Sequence, residues 1–459
     1  MTLIFLGGCS DDDGSPQPDT GAPDASLPDS ASADSSVDED AATDEVAGAI
    51  FALTNRHNPS AQISAADDAA DEDLENEVVS YARMADGSLV QVGVFPTGGV
   101  GENIRNSGAN PLASQDPLIL SEDQRFLFAV NAGSETVTSF RVMDDASLEQ
   151  ASVVGTSGAS DAQNPVSLTI RGNILYVANS GAFFDDAGAE LTALPDDRNR
   201  TQASLLGFTV ADDGSLTELA DSELPGIGAN VGSVEFSTSG RQLYVTQRRT
   251  NDIIAVQLNE DGTPARDASG APMMQSLTAN TPQPFGTDIL STADGETLLV
   301  SEGNNGEEGL SALSSYRVED DGSLTVVSAS SGTEGDPLVT GFTFGCWVEI
   351  AQGPEGNFAY VANTPDGTLT SYTLAPDGSI TRLASEAANA GIEADENLNG
   401  AGVLDTEIVW PFLYQVVNVD SRIAQWQISP DGSLQRQQDL EIVDTELFRP
   451  RMFVGIAGF

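Results

Sequence analysis

The chain of 459 residues contains no lysine at all; its 18 basic residues are all arginine, against 71 aspartates and glutamates, for a formal net charge of -53. A surface with that balance cannot neutralise a polyanion, which excludes nucleic acid and anionic lipid faces as partners. It leaves two readings open, a solvated anionic shell suited to salty surroundings, or a cationic partner or metal ions. Cysteine is nearly missing: only Cys9 and Cys346 occur, so no disulfide framework can staple the fold. There is one histidine, His57. No run of eighteen apolar residues exists, which leaves nothing of the length a membrane-crossing helix needs. What is present in quantity is apolar sequence, 39% of the chain, enough to bury a large core.

The first residues, "MTLIFLGGCSDDDG", join a short apolar segment to Leu6-Gly7-Gly8-Cys9. That spacing resembles the lipobox of bacterial lipoproteins, in which the cysteine becomes the lipidated first residue. The implied true start lies upstream of Met1, with residues 1–9 a truncated signal. Residues 10–45 are almost entirely Ser, Asp, Ala, Pro, Thr and Gly, a composition expected to form a disordered acidic tether. The resemblance implies a cell-envelope protein that meets the membrane only through the lipid on Cys9. Mass spectrometry of the native protein should find a lipidated Cys9 as the first residue; unmodified Met1 would refute this.

From residue 46 to 459 one phrase recurs seven times: Asp86-Gly87-Ser88-Leu89, Asp145-Ala146-Ser147-Leu148, Asp213-Gly214-Ser215-Leu216, Asp261-Gly262-Thr263, Asp321-Gly322-Ser323-Leu324, Asp377-Gly378-Ser379-Ile380 and Asp431-Gly432-Ser433-Leu434. The separations are 59, 68, 48, 60, 56 and 54 residues. Aspartate-glycine suits a two-residue hairpin turn, because glycine adopts positive φ freely. Each copy carries an apolar run often led by proline (117–121, 165–170, 232–237, 286–291, 347–352). A uniform strand such as "ILYVAN" or "FAYVAN" follows, then a strand alternating with period two such as "LTSYTL", the turn, and a fourth strand. Seven such units predict an all-β fold, a seven-bladed β-propeller of four-stranded blades. Blade one lacks an innermost strand and the terminal "RPRMFVGIAGF" (449–459) has no blade after it. The C-terminal strand is therefore expected to complete blade one and close the ring, as a monomer.

The phrases "FAYVANTPDGTLTSYTLAPDGSITRL" (358–383), "LYVAN" and "PDGSL" resemble the lactonase family of seven-bladed propellers, which includes bacterial 6-phosphogluconolactonase and fungal carboxymuconate cyclase. The resemblance covers nearly the whole globular region. It implies a hydrolase opening a small lactone or related ester at the channel mouth, on a carbohydrate-derived ligand. Where the family shows Cys-His-Ser leading into blade four, this chain has Val231-Gly232-Ser233; where it shows Pro-Arg-His leading into blade five, Pro284-Phe285-Gly286 stands. An arginine before blade seven is answered by Asp405-Thr406, and only the glutamate ending the second strand of blade five is matched, by Glu302.

The candidate site residues follow from the expected rim. Glu302, His57 and Arg451 are the candidate catalytic groups; Arg248, Arg249, Arg449, Glu349 and Asp288 are candidate ligand contacts, with Asp405 and Glu407 on the same face. Calcium is the possible cofactor, through rim carboxylates or through Asp395, Asn397 and Asn399 of "DENLNG". Cys346 lacks a neighbouring base and reads as a buried structural residue. The alternative to the enzyme is a non-catalytic surface binding or scaffold propeller on the same fold.

Overall fold

The computed structural model describes residues 45–56, 75–102, 112–181, 203–228, 230–392, 402–418, 422–437, 439–441 and 453–459. Seven antiparallel sheets, each of four strands in up-and-down order, form the blades of a propeller; blades three and seven each add one two-residue strand. Blade one is Phe453–Gly458, Val46–Thr54, Glu75–Met84 and Leu89–Val100, read from the axis outward. The ring is therefore shut as expected: Ile50 pairs with Gly458, Phe51 with Ala457 and Ala52 with Ile456. Ala49 and Phe459 exchange both backbone hydrogen bonds at 3.0 Å, and Arg83 Nε donates to the Phe459 carbonyl at 3.1 Å.

The second strand of each blade is sandwiched between two neighbouring blades, and its sequence shows it. Phe126–Asn131 and Phe412–Val417 are buried at every residue, so both faces must be apolar and the run is continuous rather than alternating. Outer strands such as Leu148–Gly155 are largely exposed.

The repeated turn has a structural reason. In every blade the aspartate Oδ1 accepts from the backbone N–H and hydroxyl two residues on, as Asp377 does from Ser379 N at 3.0 Å and Ser379 Oγ at 2.6 Å, which fixes a rigid turn. The preceding blade docks on the carbonyls that this turn presents. Tyr176, Tyr244, Tyr360 and Tyr414 donate their hydroxyls to Gly262, Gly322, Gly432 and Gly87 at 2.7, 3.2, 2.9 and 2.8 Å. Ser80, Ser139 and Arg317 do the same to Ala146, Gly214 and Asp377 at 2.5, 2.7 and 3.0 Å. Every blade thus grips the turn of the next, all the way round. Glycine is required there twice over: Gly322 has φ +79° and a Cβ would lie 2.5 Å from Gln242 Cγ.

Losing one such grip should be modest and losing its socket severe. Tyr360→Phe should lower the unfolding free energy by about 1 kcal/mol. Gly432→Ala, at φ +81° with Phe358 in the path of the new methyl, should cost about 2–4 kcal/mol. Chemical denaturation of both variants checks the order.

Candidate functional site in the acid-lined channel

The innermost strands run parallel around the axis, and one level of them is chemically distinctive. Glu235 lies opposite Tyr244, Asp288 opposite Leu299, Glu349 opposite Tyr360 and Glu407 opposite Tyr414. These are equivalent positions in blades four to seven. Blades one, two and three place Ala457, Ile119 and Thr169 at the same level. Asp116, just before blade two, joins them: its charge acts on Glu235, Glu349, Asp405 and Glu407, and Asp288 acts on it in turn. Asp116, Glu235, Asp288, Glu349 and Glu407 are half-buried, so they keep a share of the channel's accessible surface, while Asp405 is buried.

Some of these residues also stitch blades together. Asp288 Oδ2 accepts from Ile350 N of the next blade at 2.7 Å, Asp405 Oδ2 from Ile456 N at 3.2 Å, and Thr169 Oγ1 from Phe236 N at 3.1 Å. Among the described residues none of the six carboxylates forms an ion pair. Removal from water without a counter-charge favours the protonated form. Burial, reinforced by Asp288, pushes Asp116 up to about 8. Burial likewise raises Asp288 to about 7, partly opposed by the N–H groups of Ile350 and Ile289. Burial first and then neighbouring carboxylates hold Glu235, Glu349, Asp405 and Glu407 well above the ordinary range.

Five residues, Leu112 to Asp116, of which the first four are buried, cross the innermost strands of blades three to six. Gln115 spans three blades: its N–H donates to Gly232 O at 2.9 Å, its Nε2 to Thr287 O at 2.9 Å and Val348 O at 3.1 Å, and its Oε1 accepts from Val348 N at 3.1 Å. Trp347 Nε1 donates to Ser114 O at 3.0 Å and Ser114 Oγ to Val166 O at 2.7 Å. A Cβ at Gly286 would collide with Gln115 Oε1, and one at Gly232 would sit 2.7 Å from Phe285 O. The two glycines occupy the positions at which the resembled family shows histidine, and at Gly286 the space is filled by Gln115. The residues leading into blades two to six, Asp116, Asn164, Asn230, Gln283 and Phe344, all have positive φ of 47–62°.

The expected site residues fall in different places. Glu302, expected at the mouth, is wholly enclosed: Oε1 accepts from Thr281 N at 3.0 Å and Oε2 from Ser314 Oγ at 2.7 Å, and burial lifts it to about 7. It stands where Asn363 bonds Thr368 and Thr370 in blade six, a turn-holding position. Asp288 and Glu349, expected on the rim, line the channel instead. Arg248 is 4% exposed, with its guanidinium 5.4 Å from the centroid of Phe285, and Arg249 is exposed. His57, Arg449, Arg451, the Asp395-Asn397-Asn399 loop and Cys9 lie outside the described residues. Among the described residues no three His, Cys, Asp or Glu side chains converge to hold a metal ion, so calcium gains no site there. Cys346 is buried, as expected. Sequence reading missed Gln115, Asp116 and Glu235. The signal was an acid interrupting an apolar innermost strand in "SVEF", "TDIL", "VEIA" and "DTEI", four units in succession.

No protein-family model and no curated protein matches the chain. Solved structures do. A Bacteroides fragilis protein described by assignment as a 6-phosphogluconolactonase superposes with TM-score 0.54 at 12% identity over 90% of this chain and 98% of its own. The periplasmic gluconolactonase of Pseudomonas aeruginosa gives TM-score 0.51 at 17% identity over 89% and 99%. A functionally unknown protein from Desulfotomaculum acetoxidans gives 0.55 at 9% identity over 89% and 98%. These likenesses establish the fold.

The channel sets the pH response. A carboxyl whose folded value is raised keeps protons that the unfolded chain releases, so its contribution is lost as pH climbs from the ordinary 3.8 through about 7 for Asp288 and about 8 for Asp116. The turn aspartates, Asp377 among them, are held below 3.8 by their serine partners, and act in the opposite sense below that pH. Thermal stability should therefore peak in mildly acidic solution. Glu349→Gln should raise the melting temperature at pH 8 and leave it unchanged at pH 4.

Proposed function

We infer that this propeller, which shares the fold of 6-phosphogluconolactonase-like proteins, is an exported binding protein rather than a hydrolase acting at the channel mouth. The observation that carries this is Gln115: it is bonded to blades four, five and six and fills the space at Gly286. A substrate seated there would have to displace a residue making four hydrogen bonds. The enclosure of Glu302 supports the same reading, since neither oxygen is free to take a proton from water. Export is favoured by the acidic tether composition, by the lipobox-like Cys9, and by the periplasmic location stated for the Pseudomonas gluconolactonase of the same fold.

A second reading rests on a different observation. Asp116 and Asp288, half-buried acids whose charges act on one another and which are raised to about 8 and about 7, are two interacting carboxyls of the kind that acid–base hydrolysis of a small lactone or ester uses, although both Asp288 oxygens already accept backbone N–H groups. The acid surroundings restrict such a substrate to uncharged or cationic lactones. Gluconolactone and homoserine lactones should be hydrolysed no faster with the protein than without it, with or without added calcium. Turnover that falls by about a hundredfold or more in Asp288→Asn would replace the binding reading with the hydrolytic one.

A further inference from the structure

We propose that Leu112–Asp116 is a second clasp of the ring, a chord that ties the start of blade two to blades three, four, five and six and keeps the propeller shut when the C-terminal strand parts from blade one. The clasp is independent of what the propeller binds. The outer joints and the inter-blade bonds of Asp288, Asp405 and Thr169 each join neighbouring blades. A ring stitched only between neighbours behaves as a one-dimensional array, in which opening one seam leaves no tie across the axis. Seven hydrogen bonds to Ser114, Gln115 and Asp116 supply such a tie. Ser114 Oγ donates to Val166 O at 2.7 Å and Leu168 N donates to Asp116 O at 2.9 Å, both in blade three. Gln115 N reaches Gly232 O of blade four at 2.9 Å. The Gln115 carboxamide bonds Thr287 O of blade five at 2.9 Å and both Val348 O and Val348 N of blade six at 3.1 Å, and Trp347 Nε1 adds Ser114 O at 3.0 Å.

The backbone and the sequence both bend to this segment. Ala113 and Asp116 take φ of 53° and 58°, a left-handed conformation that an alanine keeps only where its surroundings over-determine it. Ser114 and Gln115 are 2% and 1% exposed, so their polar groups had to find partners inside the molecule. Gly286 makes room for Gln115 Oε1 by carrying no side chain. The other clasp is of a different kind: Phe453–Gly458 is a strand laddered to Val46–Thr54 at the seam of blades seven and one. The two share no residue and act on different blades. Loss of the C-terminal strand therefore leaves blades two to six still tied across the axis, and loss of the Gln115 bonds leaves the ring still closed at blade one.

The test compares four forms of the full protein in urea: wild type, Ala457→Pro, Gln115→Ala and the double variant. Ala457 pairs with Phe51, two residues from the Ala49 and Phe459 pair that exchanges both bonds, so it is again a bonded position and proline breaks the ladder there. Each single variant should keep one cooperative transition, and the midpoint of the double variant should fall by more than the sum of the two single shifts. Gln115→Ala combined with Tyr360→Phe, whose joint links two blades that stay neighbours in either case, should give plain additivity. Hydrogen exchange supplies a second measurement. In Ala457→Pro, protection should be lost over Val46–Thr54, while the Val348 amide, which donates to Gln115 Oε1, stays within about tenfold of wild type, the worth of one hydrogen bond. Additive shifts for the Ala457→Pro pair, equal non-additivity with Tyr360→Phe, or loss of protection through blades three to six in Ala457→Pro alone would overturn the proposal, as would failure of Ala457→Pro to fold. If Gln115→Ala or the double variant does not fold, exchange in Ala457→Pro decides.

Discussion

The propeller depends on one joint repeated seven times, a side chain of one blade donating to the carbonyl at the rigid aspartate turn of the next. The joint explains the repetition of the sequence better than strand geometry does. A hairpin could turn in many ways, but only a turn of fixed shape presents its carbonyl at the same place in every blade. The donor varies: four blades use tyrosine, two use serine and one uses arginine. The acceptor side hardly varies, because the glycine both takes positive φ and leaves room for the neighbour. Ala146, at φ 62°, is the one turn where a methyl group is carried instead.

Against this stitching stands the channel, where the same fold accepts a concentration of like charge. Asp288 and Asp405 bind the backbone of the next blade, so part of the acid ring is structural. Glu349 has no such account, and its surroundings are Asp288, Glu407, Asp116 and Asp405. Groups that oppose folding and are nevertheless arranged at one level of four successive blades are the kind of local conflict found where a protein handles a ligand. The conflict is relieved by protons, which burial and neighbouring carboxylates both favour.

The fold was legible because its signals are local and repeated. Glycine at a left-handed turn, uniform buried runs such as "FAYVAN" and alternating third strands each state a backbone requirement in a few residues. Ring closure could be inferred from the mismatch of the two ends. The site was far less legible. Glu302 matched the resembled family in sequence, yet its second-strand position places it inside the blade, held by Thr281 and Ser314. Asp288 and Glu349 were picked out by charge, but assigned to the rim because the level of a residue along an innermost strand follows from bulges that sequence does not mark. The register shifts between Pro284 and Thr287 and between Gly345 and Trp347 are of this kind. Gln115 could not be foreseen at all: a connecting segment crosses to blades far away in the chain, and nothing near it in sequence says so.

Closure by Phe453–Gly458 also orders events in time. Blade one must wait for a strand lying roughly 400 residues downstream of its partner. Until that strand arrives, Val46–Thr54 presents an unpaired ladder, and the seam between blades seven and one has its outer joint, Tyr414 on Gly87, without the inner one that Ile456 makes with Asp405. A nascent chain is therefore not a shorter version of the finished ring, and the protein is safest from misassociation when its whole length is delivered before the first module has to stand alone.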